Sequence, residues 1–407
     1  MGAPSDPRRT LLLQLLQQAL ARVDGRRCVR AALAAPAPLP AGPVWVAAVG
    51  KAAASMAQGA HEALGERLAH TLIITRDADS CAALAGHPEV EVMIGGHPVP
   101  DERSLACGAR LLEWTQALPA AACPLFLISG GASALAEVLV PGVGLADLRA
   151  FTQEALRSGV DIAGLNARRI ALSQLKGGRL AAQLRGRPAL ALFISDVPGD
   201  APALIGSGLM GPAPHGADRI ERRVLAGIAD AVAAAAEAGS ALGLAVHAPP
   251  RRFDDGALRL AARFAHELML QPAQLCVWGG ESTVTLPEHP GRGGRNQHLA
   301  LAAARLLAGH AELLLLAAGT DGSDGVTDSA GALVDADTCA RIALAGLDAD
   351  TCLAGADAAR ALSASGDLVH TGPTGTNVGD LVLGLKLTPA AAQALGPLRG
   401  GPAARML

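Results

Sequence analysis

The sequence predicts an α/β fold with mostly parallel sheets, divided into two domains. Short, wholly apolar runs such as residues 44–49, 124–129 and 189–195 alternate with longer helix-forming stretches. Strands buried on both faces read in this way. Polar, glycine-rich loops fall at the C-terminal ends of these runs, where open α/β sheets bind ligands. The chain has 407 residues, too long for one typical domain and comfortable for two. A long Ala-rich helix expected over 217–238 sets the boundary near 240, giving domains 1–240 and 241–407.

Taken in order, a first helix is expected over 9–23, followed by a Pro-rich link and a buried strand at 44–49. Gly50-Lys51 then leads into a small-residue helix over 52–64. Further strands are expected at 71–75 and 90–94, a helix at 104–117, a strand at 124–129, helices within 145–184 and a strand at 189–195. The second half offers apolar runs at 242–247, 275–278 and 313–318. Its helices are expected at 256–269 and 296–307, with weaker candidates at 340–345 and 356–363.

Composition excludes several function classes. Hydrophobic residues make up 50% and aromatics only 2%, with no Tyr, so the core must be Ala, Leu, Val and Ile. The net charge of −3 comes without a basic run, which argues against nucleic acid as a partner. The seven cysteines include no C-x-x-C pair, a pattern of reduced thiols rather than a disulfide framework or zinc site. The segment 11–20 is interrupted by Gln14, Gln17 and Gln18 and reads as an amphipathic helix, not a signal peptide. No apolar run reaches the ~18 residues of a membrane span. The expectation is a soluble cytoplasmic protein acting on small molecules.

The chemistry-bearing residues gather on loops after strands. The stretch 279–297, GGESTVTLPEHPGRGGRNQ, sets Glu281, Ser282, Thr283, Arg292 and Arg295 among glycines. Lying between an apolar run at 275–278, read as a strand, and an Ala/Leu-rich helix, it is expected to be an anion-binding loop, since guanidinium groups match phosphate or carboxylate oxygens and glycines let backbone N–H groups approach. The alternative is a surface hairpin with ordinary glycine turns. Lys51, opening a helix after a strand, could reach a phosphate or a moving phosphoryl group; the alternative is a solvated surface lysine. No Walker A pattern surrounds it, because Trp45 stands where the first glycine is required. Ser129-Gly130-Gly131-Ala132-Ser133 is a second glycine turn whose donors suit phosphate oxygens, or simply a tight strand-to-helix turn. Asn166, Arg168, Lys176 and Arg179 could bind ligand or cap helices.

Asp196 and Asp200 follow the strand at 189–195 and offer the one or two carboxylates that Mg²⁺ needs beside nucleotide phosphates. Asp321, Asp324 and Asp328 crowd one glycine loop after the run 313–318, where a metal or hydroxyl ligand would relieve their repulsion. That loop is not an EF-hand, which ends in glutamate and is flanked by helices. Residues 371–380, TGPTGTNVGD, form a similar loop carrying Asn377. Gly206-Ser-Gly208-Leu-Met-Gly211 matches G-x-G-x-x-G. It lacks a strand immediately before, and Pro212 and Pro214 oppose a helix after, so it is no dinucleotide fingerprint. His97, in GGHPVPD, is either catalytic or a turn histidine.

In order, VGKAA (49–53), GGHPVPDERS (95–104), LISGGASAL (127–135), SGVDIAGLN (158–166), LSQLKGGRLA (172–181), SDVPGD (195–200), IGSG (205–208), GGESTVT (279–285), GRGGRNQ (291–297), AAGTDGSDGVTDSAGA (317–332) and TGPTGTNVGDL (371–381) resemble the glycerate 2-kinase family. The resemblance implies a Rossmann-like N-terminal domain with a mostly parallel sheet and a smaller α/β C-terminal MOFRL domain. It also implies ATP-dependent phosphorylation of D-glycerate at the 2-hydroxyl, with Mg²⁺; a hydroxypyruvate reductase using NAD(P)H is the alternative reading. The lysine and arginine that match Lys51 and Arg295 are taken as catalytically important in that family; Asp196, for Mg²⁺ or for accepting the 2-hydroxyl proton, is the third catalytic candidate. Ser129, Gly130, Gly131, Ser133, Asn166, Lys176, Arg179, Glu281, Thr283, Asn296, Asp321 and Asn377 are the expected substrate- and nucleotide-binding set. Asp196, Asp321 and Asp324 are the expected metal ligands. The chain departs from the family pattern at Ala132, at Leu209-Met210 and at 256–259.

Overall fold

The computed structural model describes residues 6–34, 39–158, 162–214 and 218–395. The elements run α1 (Pro7–Arg22), α2 (Gly25–Ala34), β1 (Val44–Val49), α3 (Ala53–Leu64), β2 (Leu68–Thr75), β3 (Val90–Ile94), α4 (Glu102–Gln116), β4 (Cys123–Ile128) and α5 (Ala132–Leu135). They continue with α6 (Leu145–Ser158), α7 (Ile162–Ala171), α8 (Arg179–Ala182), β5 (Ala189–Ile194), β6 (Ile220–Ala226), α9 (Ile228–Ala241), β7 (Val246–His247), β8 (Phe253–Gly256), α10 (Ala257–Leu270) and β9 (Leu275–Thr283). The last are α11 (Arg295–Leu307), β10 (Leu313–Gly319), β11 (Gly331–Asp335), α12 (Thr338–Leu344), α13 (Ala349–Ala354), α14 (Ala358–Ser365), β12 (Leu368–Val369), β13 (Asp380–Lys386) and α15 (Pro389–Leu395).

The chain forms two compact units. The N-terminal unit comprises Val23–Gly227 with Gly375–Val378; the C-terminal unit comprises the chain up to Arg22, Ile228–Thr374 and the chain from Gly379. This differs from a single division at 240. Helix α1 belongs with the C-terminal unit because its Leu11, Leu12, Leu13, Leu15 and Leu16 are buried and it packs on α9, α15 and β13. The expected helix over 217–238 is two elements: Arg222, Arg223 and their neighbours form β6 before α9 begins. Residue 217 itself lies outside the described residues.

In the N-terminal unit six strands lie in the order β3-β2-β1-β4-β5-β6, and every pairing is parallel. This is the doubly wound order, with the direction of winding reversing between β1 and β4. One face of the sheet is closed by a core in which Trp114, Phe126, Phe193, Ile128 and Leu111 meet small residues such as Ala47, Ala132 and Ala191. Few aromatics suffice because Ala and Leu fill the spaces between them.

The C-terminal unit corrects the expectation of mostly parallel sheets. Its strands run β12-β11-β10-β13-β9-β7, with β8 beside β9. The pairings of β10 with β11 and β13, β11 with β12, and β13 with β9 are antiparallel; β7 and β8 join β9 in parallel. The segment joining β10 to β11 contains no helix, and a helix-free connection of this length makes an antiparallel pair, whereas a parallel pair needs a long crossover. Helices α10, α11 and α14 cover one face, where Phe264 stacks on Trp278 and meets Phe253 edge-on within an Ala- and Leu-rich core.

Candidate active site

In the N-terminal unit the predicted residues converge at the switch point of the sheet. Strand β1 ends at Gly50, whose N–H donates to Ile74 O (3.1 Å), and the Lys51 N–H donates to Gly130 O (2.9 Å) at the end of β4. A side chain at Gly50 would collide with Ser129, and φ there is 132°, so only glycine permits this approach. The Ser129 hydroxyl is fully buried and accepts the Ala52 N–H at 3.0 Å. It latches α3 to β4 through this bond. The Lys51 side chain passes beside Gly131, with the His97 ring on the same glycine. Asp101 explains the His97 loop: its carboxylate caps α4 by accepting Arg103 N–H and Ser104 N–H, and Ser104 answers by accepting the Asp101 N–H.

Asp196 follows β5 and lies against Gly130, where any side chain would strike it. Asn377 comes from the Gly375–Val378 segment and donates to Asp196 Oδ2 at 3.1 Å. The Ser133 hydroxyl meets Ser207 Oγ at 2.7 Å, and Ser207 donates to Asn166 Oδ1 at 3.0 Å. Lys51, Gly130, Gly131, Asp196 and Asn377 thus form one group, and Ser133 with Asn166 a second beside α5.

Lys176 and Arg179 each engage partners within the protein. Lys176 is buried at 1% exposure, and its ammonium pairs with the Glu137 carboxylate, equally buried. Burial lowers the Lys176 pKa against the raising effect of Glu137. Arg179 donates to the Ile170 and Ser173 carbonyls. Arg179 closes the 170–179 turn on itself, and Lys176 ties that turn to Glu137.

In the C-terminal unit the organising residue is Arg295, at the start of α11. Strand β9 continues through Gly279-Gly280 to Thr283, so Glu281 and Thr283 stand on a strand end and not on the predicted loop; Thr283 is exposed. Arg295 Nη1 donates to Glu281 Oε1 at 2.5 Å, and its Nε lies 2.8 Å from Asp380 Oδ2. Arg252 reaches the other Glu281 oxygen at 3.2 Å. Burial would lower the Arg295 pKa, but Asp380 and Glu281 outweigh it and hold the guanidinium above its ordinary range. Asp380, at 1% exposure, is raised by burial against the lowering effect of Arg295. The sequence stretch 371–381 contained Asp380, yet its role was missed because its partner lies 85 positions away.

Asp324, an expected metal ligand, is held by the first turn of α11. Its Oδ1 accepts the Asn296 N–H at 3.1 Å and its Oδ2 the Gln297 N–H at 2.8 Å. It is 2% exposed and caps α11. Burial pushes its pKa up to about 7 despite those two N–H donors. Asp321 Oδ1 is likewise held by Ser323, through N–H at 3.0 Å and Oγ at 3.1 Å. Asn296 donates to Asp380 Oδ1 at 2.9 Å, while its own Oδ1 is buried without a hydrogen-bond partner. The G-x-G-x-x-G segment forms a 3₁₀ turn (Ile205–Ser207) with positive φ at Gly206 and Gly208, flanked directly by neither strand nor helix.

Residues 11–236 match a family described as a domain of unknown function (DUF4147), and residues 274–380 match the MOFRL family. The D-glycerate 2-kinase of Thermotoga maritima is 35% identical over 382 residues, spanning 84% of this chain and 90% of that protein. An Agrobacterium vitis protein, provisionally named a hydroxypyruvate reductase, is 34% identical over 385 residues, spanning 84% of this chain and 87% of that protein. The crystal structure of the glycerate kinase from Thermotoga maritima superposes with a TM-score of 0.78 at 31% identity, covering 93% of this chain and 99% of that one. With both family matches in this order, and such relatives along most of its length, the chain belongs to the MOFRL-type glycerate 2-kinase family.

Proposed function

We propose that this chain transfers the γ-phosphoryl group of ATP to the 2-hydroxyl of D-glycerate, giving 2-phosphoglycerate and ADP. The observation that carries the reading is Lys51 at the switch point, held beside Gly131 with Asp196 against Gly130. A new bond forms between the glycerate 2-oxygen and the γ-phosphorus, the bond from that phosphorus to the β,γ-bridging oxygen breaks, and the 2-hydroxyl loses its proton. Such transfers depend on alignment and on stabilising the charge of the moving group. Lys51 supplies positive charge to the phosphoryl oxygens. Arg295 supplies a second cation, for the phosphoryl group or for the glycerate carboxylate.

Mg²⁺ takes oxygen ligands, commonly one or two carboxylates with substrate phosphates. Asp196 fits that demand, being only half-buried and beside a backbone with no side chain in the way; Asp321 and Asp324 remain the other candidates, Asp324 already accepting two backbone N–H groups. When bound, the metal would neutralise charge on the phosphates. Asp196 serves either this ion or the proton of the 2-hydroxyl, and the Mg²⁺ dependence of Asp196→Asn against its pH–rate profile separates the two.

All cysteines among the described residues are free thiols, which suits a reducing compartment, and no described helix is long and apolar enough to cross a membrane. We place the enzyme in the cytoplasm. Phosphorus NMR of the purified protein with ATP, Mg²⁺ and D-glycerate tests the reading, with a 2-phosphoglycerate signal expected. A 3-phosphoglycerate signal would keep the kinase and overturn its regiochemistry. No transfer, together with NAD(P)H consumption on hydroxypyruvate, would replace the kinase by the reductase.

A further inference from the structure

We propose that the N-terminal unit carries a divalent transition-metal site, of the kind that takes Zn²⁺, formed by His61, His87 and Glu89. None of these residues belongs to the groups around Lys51 or Arg295. His61 is in the last turn of α3, while His87 and Glu89 lie just before β3. One ligand atom from each converges, all within 4.8 Å of one another. The His61 Nδ1 to Glu89 Oε1 distance is 3.8 Å and the His87 Nδ1 to Glu89 Oε1 distance is 3.1 Å. A tetrahedral ion with bonds of about 2.0–2.1 Å holds neighbouring ligand atoms roughly 3.3 Å apart, so the observed spacing needs only small side-chain movement.

The ring nitrogen of His61 that faces away from Glu89 already has a partner. His61 Nε2 lies 3.0 Å from Thr71 Oγ1, and Thr71 is fully buried within β2. With Nε2–H donating to Thr71, the ring turns its Nδ1 lone pair toward Glu89; metal-ligating histidines are oriented in this way by a bond from the opposite nitrogen. Two lone-pair-bearing groups then face each other across 3.8 Å, an arrangement a cation satisfies. The backbone of the loop is fixed as well: Thr71 N–H donates to Glu89 O at 2.9 Å and Val90 N–H to His87 O at 3.0 Å. His61 is 10% exposed and His87 49%, so an ion can enter from solvent and keep water in its fourth position. Imidazole with one carboxylate suits Zn²⁺, and also Co²⁺, Ni²⁺ or Cu²⁺, better than Mg²⁺. The bound ion would clip the end of α3 to the segment entering β3.

The test is Co²⁺ titration of untagged, EDTA-treated full-length protein, followed optically, with Zn²⁺ competition and thermal unfolding. One equivalent of Co²⁺ should give the intense visible bands of a tetrahedral site, and Zn²⁺ should displace it. Excess Zn²⁺ should raise Tm by about 5 °C when free metal is a hundredfold above Kd. His87→Ala and Glu89→Gln should each weaken binding by more than about 10-fold, and Thr71→Val by about 10-fold. Glycerate phosphorylation without added Zn²⁺ should stay unchanged in His87→Ala, whose exposed ring makes misfolding a small risk. Absent or octahedral-type Co²⁺ bands, or affinities in these variants equal to wild type, would overturn the site.

Discussion

Asp380, the first residue of β13, grips the Arg295 guanidinium with both carboxylate oxygens: Nε lies 2.8 Å from Oδ2 and Nη2 3.1 Å from Oδ1. A two-pronged pair of this kind fixes direction as well as distance. Asp380 is nearly inaccessible while Arg295 keeps 35% of its side chain exposed. The carboxylate therefore acts from behind, aiming a cation that still meets solvent.

Asp380→Asn keeps the shape and removes the charge. Breaking a pair with one buried member costs about 3 kcal/mol, which denaturant unfolding reads directly. If Arg295 serves phosphoryl transfer, kcat falls by up to about 10²-fold through misalignment, with a smaller change in the KM for ATP. Normal kcat with lowered stability would make Asp380 purely structural.

Lys51→Ala is the direct test of charge stabilisation. The backbone bond from Lys51 N–H to Gly130 O survives the change, so the glycine turn stays formed. Loss of one charge-stabilising donor lowers kcat by about 10²-fold or more. Steady-state kinetics with unaltered far-UV circular dichroism checks it, and near-normal turnover would remove Lys51 from the mechanism.

The comparison of Lys51 with Lys176 shows which parts of the site were legible in the sequence. Both lysines stood in glycine-containing loops, and both suggested ligand contact. Lys51 follows an apolar strand whose limits, 44–49, the structure reproduces, because a strand buried on both faces has sharp edges in sequence. Lys176 is committed to Glu137, 39 positions earlier, and no local pattern encodes such a partner. The same holds for Asp380 with Arg295. Strands were cut short or missed where glycine interrupts them: β9, expected only over 275–278, passes through Gly280 because the Phe253 ring and backbone fill the space a side chain would need. Strand β13 contains Gly384, packed tightly against Leu268 and Trp278. Glycine there marks close packing, which sequence alone reads as a loop.

Lys176→Ala leaves the Glu137 carboxylate buried and unpaired, and should destabilise the protein by about 3–5 kcal/mol. The double variant Lys176→Met with Glu137→Leu should recover most of that loss, since replacing a whole buried pair by apolar residues is often neutral. KM for D-glycerate and for ATP should be unchanged in the double variant. A large rise in either KM would return Lys176 to the ligand site.

Asp324 gives the protein a pH dependence whose sign follows from its burial. Its folded pKa is raised to about 7 from 3.8, so between these values the folded state binds more proton than the unfolded state. Stability from this group is fully present below the unfolded pKa and is lost as pH rises through the folded one. Over pH 4 to 7 its contribution therefore falls, by at most about 1.4 kcal/mol per pH unit. Asp324→Asn cannot ionise, and its unfolding free energy should lack that descent whatever its absolute stability. Subtracting the two stability–pH curves isolates the group, since the titrations common to both proteins largely cancel. A flat difference would mean that Asp324 stays ionised throughout, with the N–H groups of Asn296 and Gln297 outweighing its burial.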